Sequence, residues 1–408
     1  MKKGIPCIFL LGLLIGHPCL TAADSSVRPG DHIAIIGNTY ADQLRVHGYL
    51  ETLLLQRSVG EAISIRNLGW GGDMLNARDR PTNFPSEAST LTDHQTDVII
   101  ACFGMGESFA GESGLDDYRR SLKAFISAHK GKKYNGESVV RLVLLSPIAH
   151  EDLGELTPNR DTRNRDLALY VRAMQDVAAA GNVPCVDLYT PTLYLMEDDA
   201  SPRLTENGIH LNSYGYWAAS RMVADALLPG KPSWWLSVDA RSGRANARGA
   251  RVSAIKSQDR GLHFTVREET PPGLSPPVRG KIHKNLANTR DTLVVENLAP
   301  GKYLLTIDGQ PVAEGSHEQW ATGVAVDKSP AHKEAEAYRQ QVNDKNLQFT
   351  YSWKALNQVH IVSERRKSAS GASLPAEVIA FAKLAEQKDK ALQGGITLKT
   401  RQWRLVPQ

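Results

Sequence analysis

The sequence has few cysteines and none of the short motifs that bind zinc or phosphate groups. Four of its 408 residues are cysteine, and neither CxxC nor HExxH occurs, so a zinc site has no support. The glycine run GWGG has neither the spacing of a dinucleotide-binding loop nor the lysine of a phosphate-binding loop. We therefore expect no metal and no other cofactor.

A strong charge of either sign is also absent. The net charge is +4, or +2 without Lys2 and Lys3, which is too weak to indicate nucleic acid or an anionic membrane as a partner. The apolar fraction of 41% and the charged fraction of 23% are typical of a globular protein. The length allows two or three domains with a large core, and the oligomeric state stays open.

Long hydrophobic runs are missing as well, except for a short one at the N-terminus. Two lysines precede an apolar stretch over residues 5–15, and small residues follow at Ala22-Ala23. This pattern predicts a signal peptide over residues 1–23 and a secreted or periplasmic protein. The run is too short for a membrane span, and a buried N-terminal helix is the alternative interpretation.

The four cysteines do not predict a disulfide framework. Cys19 is a conceivable lipid-anchor position, but His17-Pro18 before it lack the small residues that such a site needs. Cys102 and Cys185 lie in two apolar, strand-like runs that should not be neighbours in the sheet. We expect them to be separate buried thiols, although an exported protein could form a disulfide.

Residues 30–230 alternate strand-like and helical patterns. This alternation predicts an α/β domain with a doubly wound parallel sheet of five strands and helices on both faces. A single helix is expected over 41–56. The five strand-like runs are residues 33–36, 62–67, 98–103, 139–146 and 184–188.

The second half of the chain has a different texture. Residues 238–250 are polar and indicate a linker or a long loop. Residues 240–325 contain hairpin signals such as Asp308-Gly309, which predict a small antiparallel β unit. We expect this unit to pack beside the pocket or to present a partner surface, since its strands are too few for a generous core alone. Residues 331–408 indicate a helical C-terminal extension whose charges form a solvated face.

Polar or glycine-rich loops follow each strand-like run of the first domain. In a doubly wound sheet such loops meet at the carboxyl edge and build any site there. The first four are Gly37-Asn38-Thr39, residues 67–73 (NLGWGGD), residues 104–108 (GMGES) and residues 146–151 (SPIAHE), and a later loop at 204–212 contains NGIH.

In order and spacing, these loops resemble the catalytic blocks of the SGNH (GDSL-like) hydrolase superfamily over roughly residues 30–228. The resemblance implies a flavodoxin-like sheet and the hydrolysis of esters, often acetyl groups on sugars. It places Thr39 at the nucleophilic serine, Asn38 at the adjacent aspartate, and Gly72 at an oxyanion-hole glycine. Gly106 stands where the family has an oxyanion-hole asparagine.

The last block, Asp-x-x-His in the family, is NGIH here. The resemblance implies that His210 is the general base and that Asn207 orients it. Besides Asn38, three functional positions depart from the pattern, namely Thr39, Gly106 and Asn207. A threonine keeps the hydroxyl but adds a crowding methyl group, a glycine offers no side-chain donor, and an asparagine cannot stabilise an imidazolium by charge.

Four further residues are candidates for substrate binding. Asn38 lies beside the nucleophile position, and Trp70 stands between glycines where it could stack on a sugar or pack in the core. Glu107 and His150 follow the third and fourth strands and could compensate for the substitutions. Alternatively, Glu107 starts a helix or forms a salt bridge, and His150 is a surface histidine.

The sequence therefore leaves two functions open. The first is an exported SGNH-type hydrolase of small-molecule or glycan esters, such as a carbohydrate O-deacetylase, with a variant Thr/Asn/His set. The second is an inactive SGNH scaffold that binds a glycan or another surface polymer. Retention of His210 and of a hydroxyl at position 39 favours the first, and the three departures favour the second.

Overall fold

The structure, a computed structural model, describes residues 26–61, 63–81, 84–198, 201–278, 282–287, 290–355 and 367–408. The expected signal peptide over 1–23, with Cys19, lies outside these residues. Within the described part of the chain, no helix is both long enough and apolar enough to cross a membrane.

A parallel sheet of five strands forms the centre of the first half of the chain. Its spatial order is β2-β1-β3-β4-β5 and all its pairs are parallel, which confirms the predicted doubly wound, flavodoxin-like α/β fold. The core strands are buried on both faces, which explains their continuous apolar runs. The strands are β1 (His32–Gly37), β2 (Ser64–Asn67), β3 (Val98–Cys102), β4 (Arg141–Leu145) and β5 (Cys185–Val186).

Seven helices accompany this sheet. The single helix expected over 41–56 is in fact two helices, because Gly48 adopts a left-handed φ of 67° between them. A side chain at this position would also overlap Asn343 of a later helix. The seven are α1 (Thr39–His47), α2 (Tyr49–Arg57), α3 (Glu87–Asp93), α4 (Leu115–His129), α5 (Arg160–Gly181), α6 (Tyr189–Met196) and α7 (Ser213–Leu227).

The β-rich part is larger than the sequence predicted. It contains two sheets, of order β13-β10-β6-β7 and β12-β11-β14-β9-β8, around an apolar core of its own that includes Trp234, Phe264, Tyr303 and Trp403. Its strands are β6 (Trp235–Asp239), β7 (Ala245–Arg248), β8 (Ala250–Gln258), β9 (Gly261–Glu268), β10 (Thr292–Glu296), β11 (Lys302–Ile307), β12 (Gln310–Ser316), β13 (Val324–Ala325) and β14 (Thr400–Pro407).

Two expectations for this region were wrong. The stretch 238–250 is not a linker, because it contains β7 and parts of β6 and β8. The C-terminal extension is not wholly helical, because β14 inserts between β9 and β11. The hairpins around Asp259-Arg260 and Asp308-Gly309 are formed as predicted.

Two long helices connect the β unit to the α/β domain. They are α10 (Pro330–Trp353) and α11 (Ala369–Leu392), and two short helices, α8 (Lys284–Ala287) and α9 (His317–Thr322), precede them. Their charges are not all solvated. Lys345 is fully buried and lies 2.5 Å from Glu51 of α2, so α10 is docked on the first domain by a buried ion pair.

Both described cysteines are free thiols, as predicted, but only Cys102 is fully buried, and Cys185 is partly exposed. Cys102 ends β3 and Cys185 begins β5, and β4 separates these strands. Burial raises the pKa of both thiols, that of Cys185 to about 12, so neither is a reactive thiolate near neutral pH.

Candidate active site

The carboxyl edge of the parallel sheet carries a pocket of about 180 Å³. Four residues that the sequence predicted for the site line it together: Thr39, Gly72, Gly106 and His210. Asn38 lines it as well. The walls are otherwise mainly apolar, formed by Tyr40, Cys102, Phe103, Met105, Phe109, Leu145, Pro147, Ile148 and Ile209.

The strand-to-helix turn after β1 positions Thr39 as the first residue of α1. Gly37 has a φ of 145°, and a side chain there would collide with the carbonyl of Cys102, so only glycine fits this approach. Asn38 caps the helix, because its side-chain oxygen accepts a hydrogen bond of 3.0 Å from the Tyr40 N–H. Asn38 is thus explained by local structure, although it borders the pocket.

The second loop brings a backbone donor onto the Thr39 hydroxyl. The N–H of Gly72 donates to Thr39 Oγ1 at 3.2 Å. Asn67 fixes this loop to α1. Its side-chain N–H donates to the Ala41 carbonyl at 2.7 Å, and its side-chain oxygen accepts from the Gly69 N–H. The nucleophile position and a predicted oxyanion-hole donor are therefore held by one hydrogen-bonded unit.

The backbone N–H groups of Thr39 and Gly106 have no acceptor within the described residues. Both border the pocket, together with the Gly72 N–H that contacts the Thr39 hydroxyl. A side chain at position 106 would meet Cγ of Met74 at 2.9 Å. Met74 therefore occupies the space that the family's asparagine would need.

The loop before α7 positions His210, and Asn207 contacts its ring. The Asn207 oxygen accepts from the His210 N–H at 3.0 Å, which turns the amide nitrogen toward His210 Nδ1 at 2.9 Å. An amide nitrogen can only donate, so Nδ1 accepts and the neutral ring carries its proton on Nε2. Within the described part of the chain, no carboxylate lies within 4.0 Å of the ring.

Thr39 and His210 share the pocket without a direct hydrogen bond between them in the described structure. The hydroxyl of Thr39 is occupied by the Gly72 N–H instead. Catalytic hydrogen bonds are commonly long in the absence of substrate, so the missing contact does not remove the pair as nucleophile and base. Proton transfer from Thr39 would, however, need the other tautomer of His210, with Nε2 unprotonated.

His150 does not line the pocket, contrary to expectation. It is 9% exposed, its Nδ1 contacts the Glu151 carbonyl at 3.2 Å, and its ring packs against Gly208. Burial lowers the pKa of His150. Its part is to support the loop that carries His210.

Glu151 reinforces the same loop more strongly. Its carboxylate accepts hydrogen bonds from the N–H groups of Leu204 (2.9 Å) and Thr205 (2.6 Å), and its own N–H donates to the Gly208 carbonyl. The sequence did not single out this role, because these partners lie more than 50 residues away along the chain.

Glu107 is likewise structural. One carboxylate oxygen accepts the Leu75 N–H at 2.9 Å and the other accepts the Gly104 N–H at 2.8 Å. Burial raises its pKa, and these backbone hydrogen bonds oppose the rise. Glu107 therefore joins the second loop to the third and does not line the pocket.

Trp70 also lies away from the pocket. Its ring contacts Phe84 and Trp353 edge-on, with centroid separations of 5.8 and 5.6 Å. The charged ends of Arg80 and Lys354 lie 4.6 and 4.8 Å from its centroid. Trp70 packs in the junction with α10 and is not free to stack on a substrate.

Phe109 is a pocket residue that the sequence did not indicate. It belongs to a short 3-10 helix, Glu107–Ala110, which begins within the third loop. It is 59% exposed although it lines the pocket. The sequence signal for a pocket role was an aromatic residue three positions after Gly106, a predicted oxyanion-hole residue.

The assembled groups are those that acyl transfer uses. A hydroxyl, an imidazole and residues with backbone donors line one pocket. Such a set can attack a carbonyl carbon and stabilise the resulting oxyanion.

Residues 30–218 match the model of the GDSL-like Lipase/Acylhydrolase family. The solved structure of a gut microbial diltiazem-metabolizing enzyme is similar to this chain, with a TM-score of 0.69 and 18% sequence identity. The match covers 94% of this chain and 100% of the enzyme's chain. The likeness shows that this overall fold, including the parts after the α/β domain, occurs in another protein.

Two esterase structures are similar over about half of the chain. An acetylxylan esterase from Geobacillus stearothermophilus covers 50% of this chain and 96% of its own, with a TM-score of 0.37 and 16% identity. Another acetyl xylan esterase covers 48% of this chain and 99% of its own, with a TM-score of 0.37 and 17% identity. No curated protein sequence matches the chain.

Proposed function

We propose that the chain is an ester hydrolase, because its residues 30–218 belong to the GDSL-like lipase/acylhydrolase family and its pocket unites a hydroxyl with an imidazole. The observation that carries the proposal is the hydrogen bond from the Gly72 N–H to Thr39 Oγ1 in a pocket that His210 also lines. Nucleophile, donor and base thereby face one space large enough for a small acyl group.

In the proposed reaction, Thr39 Oγ1 attacks the carbonyl carbon of the ester and its proton passes to His210 Nε2. The tetrahedral intermediate then expels the alcohol part, which takes the proton from His210, and leaves an acyl group on Thr39. A water molecule, deprotonated by His210, attacks this acyl-enzyme. The bond between the acyl carbon and Thr39 Oγ1 then breaks, His210 returns the proton to Oγ1, and the carboxylic acid leaves.

The negative oxygen of each intermediate would accept hydrogen bonds from three backbone donors. These are the N–H groups of Gly72, Thr39 and Gly106, of which the last two have no other acceptor in the described structure. Compared with the family pattern, the side-chain donor of the asparagine at position 106 is missing. One oxyanion donor is worth roughly 3–4 kcal/mol in a known case.

The asparagine at position 207 sets the main restriction on rate. To act as a base, His210 must present an unprotonated Nε2, whereas the Asn207 amide stabilises the opposite tautomer. Catalysis therefore requires the less stable tautomer and forms an imidazolium with no carboxylate beside it. We propose a slow hydrolase rather than a fast one.

The pocket and the N-terminal sequence bear on the substrate and on the location of the protein. The pocket volume of about 180 Å³ suits a short acyl group such as acetyl, and we propose a carbohydrate or another small molecule as the alcohol part. The N-terminal pattern of two lysines and an apolar run supports export to a secreted or periplasmic location.

A second candidate function rests on the Asn207 hydrogen bond alone. With Nε2 protonated, His210 is a hydrogen-bond donor, and together with Gly72 and Gly106 it forms a site that binds a carbonyl group without attacking it. On this interpretation the chain is a scaffold that binds an acylated glycan or another surface polymer.

Acetate release from 4-nitrophenyl acetate and acetylated xylo-oligosaccharides distinguishes the two functions. Esterase chemistry predicts activity in the parent that Thr39→Ala and His210→Ala each abolish, while Thr39→Ser keeps it. Folding of each variant is checked by thermal unfolding. A parent with no release above buffer, together with binding of the acetylated oligosaccharide, would establish the scaffold instead.

A further inference from the structure

The aromatic ring of Phe109 stands at the mouth of the pocket with much of its surface open. It is 59% exposed, whereas Phe103, Leu145 and Ile148, which line the same pocket, are at most 3% exposed. The pocket thus has a closed apolar end and an aromatic residue at its outer end.

Arg163 of α5 covers one side of this ring. The carbon atom at the centre of its guanidinium lies 3.8 Å from the ring centroid, which is the geometry of a close cation–π contact. The exposed surface of Phe109 must therefore belong to the ring's other face and its edge. This other face is free to receive a ligand.

The arginine that supports the ring is itself held in place. Its guanidinium donates to the Ser108 carbonyl at 2.9 Å and to Ser108 Oγ at 2.8 Å, and it forms an ion pair of 3.3 Å with Asp166. Ser108 is fully buried. The ring is therefore preorganised, so that stacking on it requires little additional ordering of the protein.

We propose that Phe109 is the platform for the alcohol part of the ester and that this part contains a six-membered ring with an apolar face. The proposal rests on the proposed esterase function. The acyl group enters the closed end, where the Thr39 hydroxyl and the Gly72 N–H meet, and the larger alcohol part remains at the mouth against Phe109. A pyranose and an aromatic ring share the required chemistry.

Steady-state kinetics with three acetate esters tests the platform and separates the two ring types. Acetylated xylobiose presents a pyranose, phenyl acetate presents an aromatic ring, and ethyl acetate presents neither. In Phe109→Ala, kcat/KM for at least one ring ester should fall roughly tenfold, mainly through KM, while kcat/KM for ethyl acetate stays within about twofold of the parent value. The ester that is affected identifies the source of the ring.

Two further variants exclude a merely structural effect. Phe109→Trp retains a flat ring and should keep kcat/KM for the ring ester. Tyr194→Ala removes another half-exposed aromatic side chain, which lies on α6, and should change nothing. Equal losses for all three esters in Phe109→Ala would overturn the platform and leave the esterase function intact.

Failure of the esterase function has a different signature. If the parent hydrolyses none of the three esters, the hydrolase proposal is wrong, and the platform is decided by binding. Xylobiose or phenol added to Phe109→Trp should then quench the fluorescence of the new tryptophan relative to the parent. No change with either compound would overturn the platform as well.

Discussion

The side-chain amide of Asn207 donates a hydrogen bond of 2.9 Å to Nδ1 of His210. Its direction follows from the backbone, because the Asn207 oxygen is already engaged by the His210 N–H. A carboxylate at the same position would instead accept a hydrogen bond from Nδ1–H and leave Nε2 unprotonated and free to act as a base. The atom of residue 207 that contacts Nδ1, a nitrogen in asparagine and an oxygen in aspartate, therefore decides whether Nε2 carries the proton.

Replacement of Asn207 by aspartate should raise esterase activity. The carboxylate keeps the hydrogen bond to the His210 N–H, favours the productive tautomer and stabilises the imidazolium, so kcat should increase at least tenfold and up to about 10⁴-fold. Hydrolysis of 4-nitrophenyl acetate measures the gain. Asn207→Ala is the control and should show none; a gain equal in both variants would contradict the tautomer argument.

Thr39→Ser tests whether the threonine hydroxyl is the nucleophile. Loss of the methyl group frees rotation about χ1 and opens the attack path, so kcat should stay equal or rise severalfold. Thr39→Ala should lose at least about 10³-fold. Mass spectrometry after a rapid acid quench should detect an acetyl group at position 39, and its appearance on another residue would refute the assignment.

An asparagine donor can be restored at position 106 only if Met74 gives way. Gly106→Asn alone should gain little, because the new Cβ would meet the Met74 side chain. Gly106→Asn combined with Met74→Ala should increase kcat by roughly 10²- to 10³-fold, since one oxyanion donor is worth a comparable factor. Met74→Ala alone is the matched control, and an equal gain there would assign the effect to pocket size.

Lys345 should contribute strongly to stability through its contact with Glu51. The lysine is fully buried, and it also donates to the Ile65 carbonyl at 2.8 Å. Lys345→Ala leaves the Glu51 charge buried without its partner and should lower the free energy of unfolding by about 3–5 kcal/mol. Urea denaturation measures it. The double variant Lys345→Met/Glu51→Gln should lose less, and equal losses would argue against an uncompensated charge.

Glu268 should make the stability depend on pH. Burial raises the pKa of this carboxyl to about 7, with His332, Asp291, Arg401 and Glu334 as its charged neighbours. The folded state therefore binds the proton more tightly than the unfolded chain does. This contribution is complete below about pH 4.5 and is lost as the pH rises through about 7.

The matching experiment compares the free energy of unfolding at pH 5 and pH 8. The parent should lose up to about 3 kcal/mol from this group over that interval, and Glu268→Gln should remove the loss. Glu269→Gln changes the neighbouring residue, whose side chain is 38% exposed, and should keep the parent's pH dependence. An unchanged slope in Glu268→Gln would assign the pH effect to other groups.

Sequence order was sufficient to predict the pocket because the strands are short, parallel and connected by local helices. Each loop follows its own strand, so Thr39, Gly72, Gly106 and His210 arrive at one edge once the sheet is formed. The roles proposed for Trp70, Glu107 and His150 could not be obtained in this way. Their surroundings depend on distant partners such as Trp353, or on backbone amides that have no signature in the sequence.

The β unit shows the same limit at a larger scale. The strand Ala245–Arg248 is exposed at all four positions, so it has no alternation of polar and apolar residues that would reveal a strand. The strand Thr400–Pro407 pairs with residues about 100 and 135 positions earlier. Its place in the sheet is decided by those partners rather than by its own composition.

The two long helices α10 and α11 are anchored in the β unit at both ends, because β13 precedes them and β14, which follows them, inserts between β9 and β11. The chain leaves the four-stranded sheet of the β unit after β13, crosses the α/β domain as α10 and α11, and returns as the middle strand of the unit's five-stranded sheet. Pulling the helices away from the first domain would therefore also place tension on a central strand. Mechanical separation of the parts should occur as one event, at a force set by the shearing of β14, and not as the gradual swing of a hinge.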